Sequence, residues 1–584
     1  MTITPYSHHS PTRLALAVAS TLVVTAAAAQ QPAPSTLPEI KVVGKAEGGY
    51  VEQATVSAMK SDTLLRDTPQ AITVITRDLI DDQAMQSIAD AIRYVPGVVT
   101  AQGEGNRDTA VFRGNSSTGD FYIDGMRDDV QYYRDFYNID RVEAIKGPNA
   151  MIFGRGGSGG VINRVSKQAG WGPVREAVAS VGSYSHKRAA VDVGGAVNNS
   201  VAVRVNAIAE QSDSYRSGVG LERKGINPTM TIRAGKNTSI SLGYEHFRDD
   251  RIADRGVPSL NGRPYDTDVS TFFGNATLSP TGIRLNAFTA YIEHDFGNGV
   301  LLRNRTRIAN YDKFYQNVFA NGAVNATTGL LPVGAYRDAT ERTNRFNQTD
   351  LNFSLMTGTI KHKLVAGAEI GRQETDNSRR NGVFATPATV PATDSVYTGG
   401  VSFPTSTTSN NSIASVASIY LQDQIEFSPQ WHLVAGVRYD RFSVDFVNRL
   451  ASANNVLKVT DTPLSPRAGL IYKPVEAMSL YASFSRAYAP RAGEQLTSLN
   501  ATNQAFDPER FDNVEMGMKW DVSNALSASA AMYQLDRTNV VVPGTVAGTS
   551  ILVDGQKTKG VELGLTGQLT KAWSVMGGYA YQNA

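Results

Sequence analysis

The sequence of 584 residues contains no cysteine, so neither a disulfide bond nor a thiolate metal site contributes to its fold or chemistry. It also lacks an excess of either charge, since 56 basic residues nearly balance 54 acidic ones. This balance argues against a nucleic-acid binder, which would carry a basic surface. The seven histidines form no His-x-x-x-His pair, and no Ser-His-Asp arrangement can be defended. We therefore predict that the protein is not an enzyme.

Long apolar runs are confined to the first thirty residues. Arg13 precedes a mainly apolar run that ends in the small residues Ala26–Ala29. This order is typical of a secretory signal peptide, which we predict at residues 1–29 with cleavage near Ala29. After it, no window of eighteen consecutive apolar residues occurs, which argues against a membrane-spanning helix in the mature chain.

A compact α+β unit is predicted at 67–168, after a tail rich in Pro, Ala and Gly. Apolar residues at spacings of three and four predict a helix over Leu79–Val95, and strand-like runs occur at 71–76, 110–113, 121–123, 141–145 and 161–165. The segment 146–167 (KGPNAMIFGRGGSGGVINRVSK) contains six glycines. Its glycine run leads into a strand-like stretch rather than a helix. This favours tight turns between packed strands over a phosphate-binding loop.

From about residue 169, apolar and polar residues alternate over long stretches, as in LVAGVRYD at 433–440. Alternation alone does not say which face meets water, because a soluble sandwich shows the same pattern. The connections are more informative. About eight very short turns, near positions 198, 236, 297, 357, 429, 474, 523 and 570, alternate with long polar loops such as 313–344 and 377–412. This asymmetry, with aromatic residues beside the short turns, is typical of an outer-membrane β-barrel.

The turns also give a strand count. Eight short turns place the last stretch, 574–582, at about strand seventeen. An ordinary bacterial barrel has an even number of strands, and the sequence ends at Ala584 without the terminal aromatic residue that such barrels usually carry. The expectation is therefore that the natural protein continues for roughly five more strands.

Six motifs occur in order within about a hundred residues of the α+β unit. They are DTPQ at 67–70, VPGV at 95–98, FRG at 112–114, YIDG at 122–125, RVEAIKGP at 141–148 and GGVIN at 159–163. In order and spacing they resemble the plug domain of the TonB-dependent outer-membrane receptor family. Within this family the chain resembles the ferric siderophore receptors. DDVQYYR at 128–134 and APRAGEQLTSL at 489–499 are similar to the catecholate branch.

The resemblance implies a transmembrane antiparallel β-barrel of about 22 strands, about 17 of them present, with an N-terminal α+β plug domain inside the lumen. The expected organisation is a signal peptide at 1–29, a periplasmic tail with a TonB box at 30–66, a plug at 67–168 and an apparently truncated barrel at 169–584. The implied function is import of a ferric siderophore, preferably of catecholate type, across the outer membrane of a Gram-negative bacterium. The iron travels within this ligand, so no cofactor is expected.

Energy would come from the partner TonB, with the ExbB–ExbD motor behind it. In the family, TonB pairs with a short box as an added strand. The matching segment here is Glu39, Ile40, Lys41, Val42 and Val43, although Lys41 and Gly44 depart from the usual pattern. The resemblance also implies a monomer in outer-membrane lipid. Receptors for hydroxamate siderophores, haem or cobalamin remain alternatives. A passive porin is less favoured because it does not need the plug motifs.

Two groups of site residues follow from the resemblance. Arg113 and Lys146 of the plug are expected to face Glu515 and Glu562 of the barrel wall, as partners for buried charges; the alternative is that these are lumen charges solvated by water. The second group would bind the ligand above the plug, offering cations and ring faces to an anionic aromatic chelate. Its members are Arg107, Arg127, Gln131, Tyr132, Tyr133 and Arg134. The sequence does not identify the chelate.

Overall fold

The computed structural model describes residues 49–157, 159–450, 455–546 and 549–584. The predicted signal peptide and the predicted TonB box, Glu39–Val43, lie outside the described residues. Within the described ranges, no helix is both long and apolar enough to cross a membrane.

The first part of the described chain forms a small unit of short strands and helices, the plug. Its strands are β1 (Ala54–Thr55), β2 (Thr63–Leu64), β3 (Ile72–Ile75), β4 (Val98–Thr100), β5 (Ala110–Phe112), β6 (Asn115–Ser117), β7 (Phe121–Ile123), β8 (Met126–Arg127), β9 (Ile139–Lys146) and β10 (Gly160–Ser166). Its helices are α1 (Arg77–Asp82), α2 (Ile88–Ile92) and α3 (Ala150–Phe153), with a 3-10 turn at Leu65–Asp67. Strands β3, β9, β10, β7 and β8 form one sheet in that order, antiparallel except where β10 meets β7.

The single helix predicted over Leu79–Val95 is two short helices in the structure, so that prediction was wrong. The backbone of Ala84 adopts a φ of 48°, which ends the first helix. Ser87 then starts the second helix with a capping box. It accepts a hydrogen bond from the backbone N–H of Asp90 at 3.3 Å, while Asp90 accepts one from the N–H of Ser87 at 3.1 Å. The apolar spacing still identifies core positions, because Ile88 packs in the core of the plug.

The glycine-rich segment packs backbone against backbone. A Cβ atom on Gly159 would lie 2.3 Å from the carbonyl oxygen of Phe112, and one on Gly160 would lie 2.7 Å from that of Ile145. Both distances are far shorter than van der Waals contact, so a side chain at either position would force the neighbouring strands apart.

The remainder of the chain forms one large antiparallel sheet and small loop hairpins. Its strands are β11 (Val174–Val181), β12 (Lys187–Ala196), β13 (Val201–Asp213), β14 (Gly220–Arg233), β15 (Thr238–Ile252), β16 (Ser259–Leu260), β17 (Arg263–Pro264), β18 (Pro280–Asp295), β19 (Val300–Ala320), β20 (Leu330–Thr357), β21 (Ile360–Asn381), β22 (Val383–Phe384), β23 (Thr389–Pro391), β24 (Val401–Ser402), β25 (Ser406–Glu426), β26 (Trp431–Asn448), β27 (Val456–Asp461), β28 (Leu464–Val475), β29 (Met478–Ala489), β30 (Glu509–Ser523), β31 (Leu526–Thr538), β32 (Val540–Pro543), β33 (Ser550–Val553), β34 (Gln556–Thr570) and β35 (Trp573–Asn583). Two 3-10 turns lie at Ala276–Leu278 and Asn503–Ala505.

Nineteen of these strands belong to the large sheet. Two of them, β23 and β27, are short segments beside β20 and β26, which leaves seventeen long strands paired in chain order. Each of the eight predicted short turns joins two of these long strands. Within the described ranges, β11 pairs only with β12 and β35 only with β34, so the sheet has two free edges. That further strands follow in the natural protein stays a prediction.

Strand β26 shows which face of the sheet is polar. Arg438 is completely buried, whereas its neighbours Val437 and Tyr439 are 39% and 44% exposed. A soluble sandwich would bury the apolar residues instead. Polar side chains inside and apolar side chains outside are the arrangement of a barrel in lipid.

The long polar loop predicted at 313–344 is mostly strand, so that prediction was wrong. The one predicted at 377–412 is shorter than expected, because it lies between the end of β21 at Asn381 and the start of β25 at Ser406. β19 continues to Ala320 and β20 begins at Leu330. The 28 residues of β20 span about 90 Å, whereas a strand needs only about 9–11 residues to cross a bilayer. A strand that extends into water can be polar on both faces, so its composition resembles that of a loop.

Residues 54–64 were assigned to the tail by the sequence, yet they pack against the barrel wall. The Lys60 ammonium donates to the side-chain oxygen of Gln348 at 2.9 Å and lies 3.6 Å from Asp350. Gln422 donates to the carbonyl of Met59 at 3.0 Å. This first segment of the plug is therefore bonded to the wall.

Candidate functional site

Four charged residues meet where the plug contacts the wall, and we call them the charge cluster: Arg113, Lys146, Glu515 and Glu562. The Arg113 guanidinium lies 2.7 Å from the Glu515 carboxylate and 3.0 Å from the Glu562 carboxylate. The Lys146 ammonium lies 3.0 Å from Glu562. Each of the four side chains is at most 5% exposed. Because two cations face two carboxylates out of contact with water, each charge depends on the others for its partners.

The local backbone structure directs these side chains toward one another. Arg113 follows β5 in a tight turn with a φ of 49°, and Lys146 is the last residue of β9. Tyr533 lies on β31, the strand between β30 and β34. Its ring centroid is 3.8 Å from the Arg113 guanidinium carbon. Glu515 is further held by the Tyr481 hydroxyl, which donates to it at 2.7 Å. The structure thus brings together all four residues that the resemblance placed at this interface.

A second polar centre is formed by Asp128, at the tip of the plug. Its carboxylate accepts hydrogen bonds from the Tyr132 hydroxyl at 2.8 Å, the Arg134 Nε at 3.1 Å and the Tyr311 hydroxyl of the wall at 2.6 Å. Burial by itself would raise the pKa of Asp128, but Arg134, Arg164 and other arginines outweigh it and hold the pKa well below its usual range. Asp128 therefore remains an anion that ties the plug to strand β19.

The six residues predicted to bind the ligand divide into two groups. Arg127, Tyr132 and Arg134 are buried and bonded within the plug. Arg134, for example, donates to the backbone carbonyls of Asp128 at 2.6 Å and Val130 at 2.7 Å. These side chains shape the tip of the plug from inside rather than facing the space above it.

Arg107, Gln131 and Tyr133 are only partly buried. The Gln131 amide donates to the Thr118 hydroxyl at 3.0 Å. The ring of Tyr133 lies 4.1 Å from the guanidinium carbon of Arg251. The Arg107 guanidinium donates to the Asn106 side chain at 3.0 Å and pairs with Glu104. These three residues lie at the surface of the plug.

The space above the plug contains a cavity of about 320 Å³, which we call the outer chamber. It lies toward the end of the sheet opposite the eight short turns. The plug contributes Glu104 and Gln131 to its lining, and the loop after β29 contributes Gln495. The wall contributes four residues that the sequence reasoning missed: Lys313, Tyr315, Tyr336 and Arg379. They were missed because the segments 313–344 and 377–412 were interpreted as loops, whose side-chain directions cannot be inferred.

Arginines contact the two tyrosines of this chamber, Arg379 from its lining and Arg255 from behind it. The Arg379 guanidinium carbon lies 4.2 Å from the Tyr336 ring centroid, and the guanidinium pairs with Asp338 at 2.6 Å. The Arg255 guanidinium donates to the hydroxyls of Tyr315 at 2.9 Å and Tyr336 at 2.8 Å. The lining also contains the acidic Glu104 and Asp338, so its charges balance, and its tyrosine rings and basic donors suit a ligand with flat aromatic groups and oxygen acceptors.

The loop after β29 reaches down onto the plug. Gln495 donates to the backbone carbonyl of Asp129 at 2.8 Å. Glu494 accepts hydrogen bonds from the backbone N–H and the hydroxyl of Thr118 at 2.8 and 2.7 Å. The segments 128–134 and 489–499, which the sequence singled out separately, are therefore in contact.

Comparison with known proteins agrees with this architecture. Residues 64–161 match the family model of the TonB-dependent receptor plug domain, and residues 226–584 match that of the TonB-dependent receptor-like β-barrel. The probable TonB-dependent siderophore receptor PiuA of Acinetobacter baumannii is 29% identical over 618 residues, covering 97% of this chain and 81% of PiuA. The catecholate siderophore receptor Fiu of Escherichia coli K12 is 28% identical over 577 residues, covering 89% of this chain and 75% of Fiu.

Solved structures show the same likeness. The crystal structure of PiuA superposes with a TM-score of 0.84 at 27% identity, covering 92% of this chain and 82% of that one. The closed form of Fiu from E. coli K12 superposes with a TM-score of 0.81 at 25% identity, covering 91% and 82%. Since the barrel model alone matches more than half of the sequence, this chain belongs to the TonB-dependent receptor family.

Proposed function

We propose that this chain is an outer-membrane receptor that binds a ferric siderophore and imports it into the periplasm with energy delivered by TonB. The proposed ligand class is the catecholates. The relatives PiuA and Fiu, which carry siderophore-receptor names, support the first statement, and the name of Fiu supports the second.

The outer chamber is the observation that carries the proposal. A ferric catecholate is an anion with flat rings, and its oxygen atoms accept charge-assisted hydrogen bonds. Lys313 and Arg379 supply basic donors beside the acidic Glu104 and Asp338, while Tyr315 and Tyr336 supply ring faces. Of the residues predicted from the sequence, the partly exposed Arg107, Gln131 and Tyr133 are proposed to contact the ligand.

Energy coupling is proposed to act through the N-terminal segment. The predicted TonB box, Glu39–Val43, would pair with TonB as an added strand. A pull on this box would reach residues 54–64, which are bonded to the wall through Lys60 and Met59. Arg113 and Lys146 would then be separated from Glu515 and Glu562 as the plug moves. The ExbB–ExbD motor and a monomeric receptor are part of the same proposal.

Growth on a single iron source tests this function. Cells without other siderophore receptors are supplied with one ferric chelate at a time, with and without this chain and with and without TonB. We expect growth on ferric catecholates only when both the receptor and TonB are present. Growth on ferric hydroxamates or haem instead would assign the chain to one of those ligands, and growth without TonB would indicate a passive pore.

A further inference from the structure

Arg379 is held in the outer chamber along one edge of its guanidinium. Its Nε and one terminal nitrogen, Nη2, donate to the Asp338 carboxylate at 2.9 and 2.6 Å. Asp338 lies directly opposite it in the register of β20 and β21, so the strand pairing fixes this contact. The other terminal nitrogen, Nη1, makes no hydrogen bond with any described residue, and 40% of the side chain is exposed. The guanidinium therefore has one free donor group for a ligand in the chamber.

The ring of Tyr336 supports the face of this guanidinium. The guanidinium carbon of Arg379 lies over the ring, 4.2 Å from its centroid, where the negative face of the ring attracts the cation. Tyr336 is 8% exposed and packs against Tyr315, with 5.2 Å between the ring centroids, and edge-on against Phe319 at 5.8 Å. Because the guanidinium rests on this ring, its orientation depends on where the ring is held.

The Tyr336 hydroxyl is hydrogen-bonded both as acceptor and as donor. It accepts a hydrogen bond from Arg255, in the loop after β15, at 2.8 Å, and it donates one to the Glu104 carboxylate of the plug. Arg255 also donates to the Tyr315 hydroxyl at 2.9 Å, and its guanidinium carbon lies 3.5 Å from the Phe319 ring centroid. Arg255 and Glu104 therefore hold the Tyr336 ring by its hydroxyl, one from the wall and the other from the plug.

Glu104 remains an anion at this position. Burial by itself would raise the pKa of Glu104, but the Tyr336 hydroxyl and the cations Arg107 and Arg255 lower it. The Arg255 guanidinium lies 3.4 Å from the Glu104 carboxylate, and Arg107 pairs with the same group. The carboxylate is therefore neutralised by two arginines, and its hydrogen bond with the Tyr336 hydroxyl is charge-assisted.

The plug also fixes the loop that carries Arg255. The Gln102 side chain donates to the backbone carbonyl of Asp254 at 2.8 Å. A Cβ atom on Gly105 would lie 2.0 Å from the same carbonyl oxygen, so the plug backbone and the loop backbone are in direct contact. The Asp254 carboxylate in turn lies 3.1 Å from the guanidinium of Arg216, in the loop after β13. Arg255 is thus placed by the residue that precedes it as well as by its own side chain.

We propose that Arg255, Glu104 and Tyr336 are positioning residues for ligand binding. Arg255 and Glu104 clamp the Tyr336 hydroxyl, and the Tyr336 ring orients the Arg379 guanidinium so that Nη1 meets an anionic oxygen atom of the chelate. This inference rests on the proposed function. A guanidinium is a rigid, planar donor, so its bond to a catecholate oxygen depends on orientation more than the bond of a lysine ammonium would. The three residues therefore act on affinity through Arg379.

A double-mutant cycle tests whether these residues act through Arg379. Purified receptor is titrated with the ferric complex of 2,3-dihydroxybenzoate as the probe. Arg255→Gln and Tyr336→Phe each break the clamp, and each is made with and without Arg379→Gln. Arg248→Gln is the matched control, because Arg248 lies on β15 before the loop and 55% of its side chain is exposed. Thermal unfolding identifies any variant that is not folded, and Tyr336→Phe, which removes a single hydroxyl, covers that case.

We expect Arg379→Gln to weaken binding of the probe by about tenfold or more. Arg255→Gln and Tyr336→Phe should each weaken it about threefold to tenfold when Arg379 is present. When Arg379 is replaced, the same two changes should weaken it by less than about 1.5-fold, because the effects of residues that act through one partner are not additive. Arg248→Gln should bind the probe like the unmodified receptor.

Equal losses of affinity with and without Arg379 would overturn the positioning role, and so would unchanged affinity in both Arg255→Gln and Tyr336→Phe. Either result leaves the proposed function standing. If Arg379→Gln alone has no effect, Arg379 is not part of the ligand site and the inference fails with it. An unmodified receptor that does not bind the probe would refute the proposed ligand class, and with it a role of these residues in binding a catecholate.

Discussion

The Arg342 guanidinium of the barrel wall lies 3.3 Å from the Asp129 carboxylate of the plug, and neither side chain is exposed to solvent. Gln373 of the wall also donates to Asp129, at 3.0 Å, and Arg342 also donates to the carbonyl of Gln495. Burial by itself would raise the pKa of Asp129, but Arg342 and other arginines lower it. One ion pair therefore joins the wall, the tip of the plug and the loop over the outer chamber. A ligand that disturbs Gln495 would weaken the contact of Arg342 with this loop.

The charge cluster predicts a large effect of one substitution. Glu562→Gln removes the carboxylate that Arg113 and Lys146 share and leaves an uncompensated buried cation. We expect the plug to lose about 3–5 kcal/mol of stability within the barrel. Hydrogen exchange of the β9 amides in the purified receptor measures this loss.

The charge balance also predicts a partial rescue. Lys146→Met combined with Glu562→Met removes one charge of each sign and leaves the Arg113–Glu515 pair balanced. We therefore expect this double variant to lose less plug stability than Glu562→Gln alone. Glu374→Gln, at a side chain that is 44% exposed, is the control. Unchanged exchange in Glu562→Gln would show that the cluster does not hold the plug.

The outer chamber predicts a loss of affinity for anionic ligands. Arg379→Gln removes the guanidinium beside the Tyr336 ring, and we expect ferric catecholate binding to weaken by about 1.5–3 kcal/mol. Titration of the purified receptor measures the change. Arg372→Gln, an exposed arginine on the same strand, should have no effect. An equal affinity in both variants would remove Arg379 from the site.

Arg134 and Gln131 should respond in opposite ways, although the sequence placed both at the ligand. Arg134→Gln breaks buried bonds to Asp108 and Asp128, so we expect a less stable plug and a reduced yield of folded receptor. Gln131→Ala changes a partly exposed side chain of the outer chamber and should alter affinity with little effect on stability. Thermal unfolding and ligand titration of both variants distinguish the two effects. A stable Arg134→Gln receptor with weakened ligand binding would show instead that Arg134 contacts the ligand.

The predicted TonB box can be tested by proline substitution. Proline at Ile40 or Val42 removes a backbone donor from an added strand, so uptake should vanish while binding of the ferric chelate persists. Proline at Ala33, in the same tail but outside the box, is the control. Undiminished uptake by the box variants would place the coupling segment elsewhere.

Docking of the loop after β29 should depend on pH through Glu494. Burial and the Asp120 carboxylate raise the pKa of Glu494 above its ordinary value of 4.5. The docked loop therefore binds a proton more tightly than the free loop. The stability gained in this way is complete below the ordinary pKa and is lost as the pH rises through the raised pKa.

Limited proteolysis of the loop measures this dependence. Residues 490–508 should be better protected at low pH than at neutral pH, and Glu494→Gln should protect them equally at both. Glu476→Gln, at a side chain that is 91% exposed, should keep the pH dependence of the unmodified receptor. Protection that does not change with pH in the unmodified receptor would contradict the prediction.

The sequence by itself determined the elements of this protein. Alternation in LVAGVRYD and similar stretches predicts strands because side chains leave a strand on opposite faces with a period of two. Glycine, proline and asparagine mark seven of the eight short turns for reasons that are equally local, and a strand count of about seventeen follows from the turns. The family resemblance identified the four members of the charge cluster, two on the plug and two on the barrel wall, although Arg113 and Glu562 are 449 residues apart.

Only the tertiary structure decided which polar residues face a ligand and which hold the protein together. Arg134 and Arg379 are both arginines in polar segments, yet one is buried among backbone carbonyls and the other lines the outer chamber. Ala84 likewise ends a helix that apolar spacing would continue. The docking of the plug against the wall includes contacts between Asp128 and Tyr311, 183 residues apart, and between Asp129 and Arg342, 213 apart. A local pattern does not encode such pairs, because they form only when the wall closes around the plug.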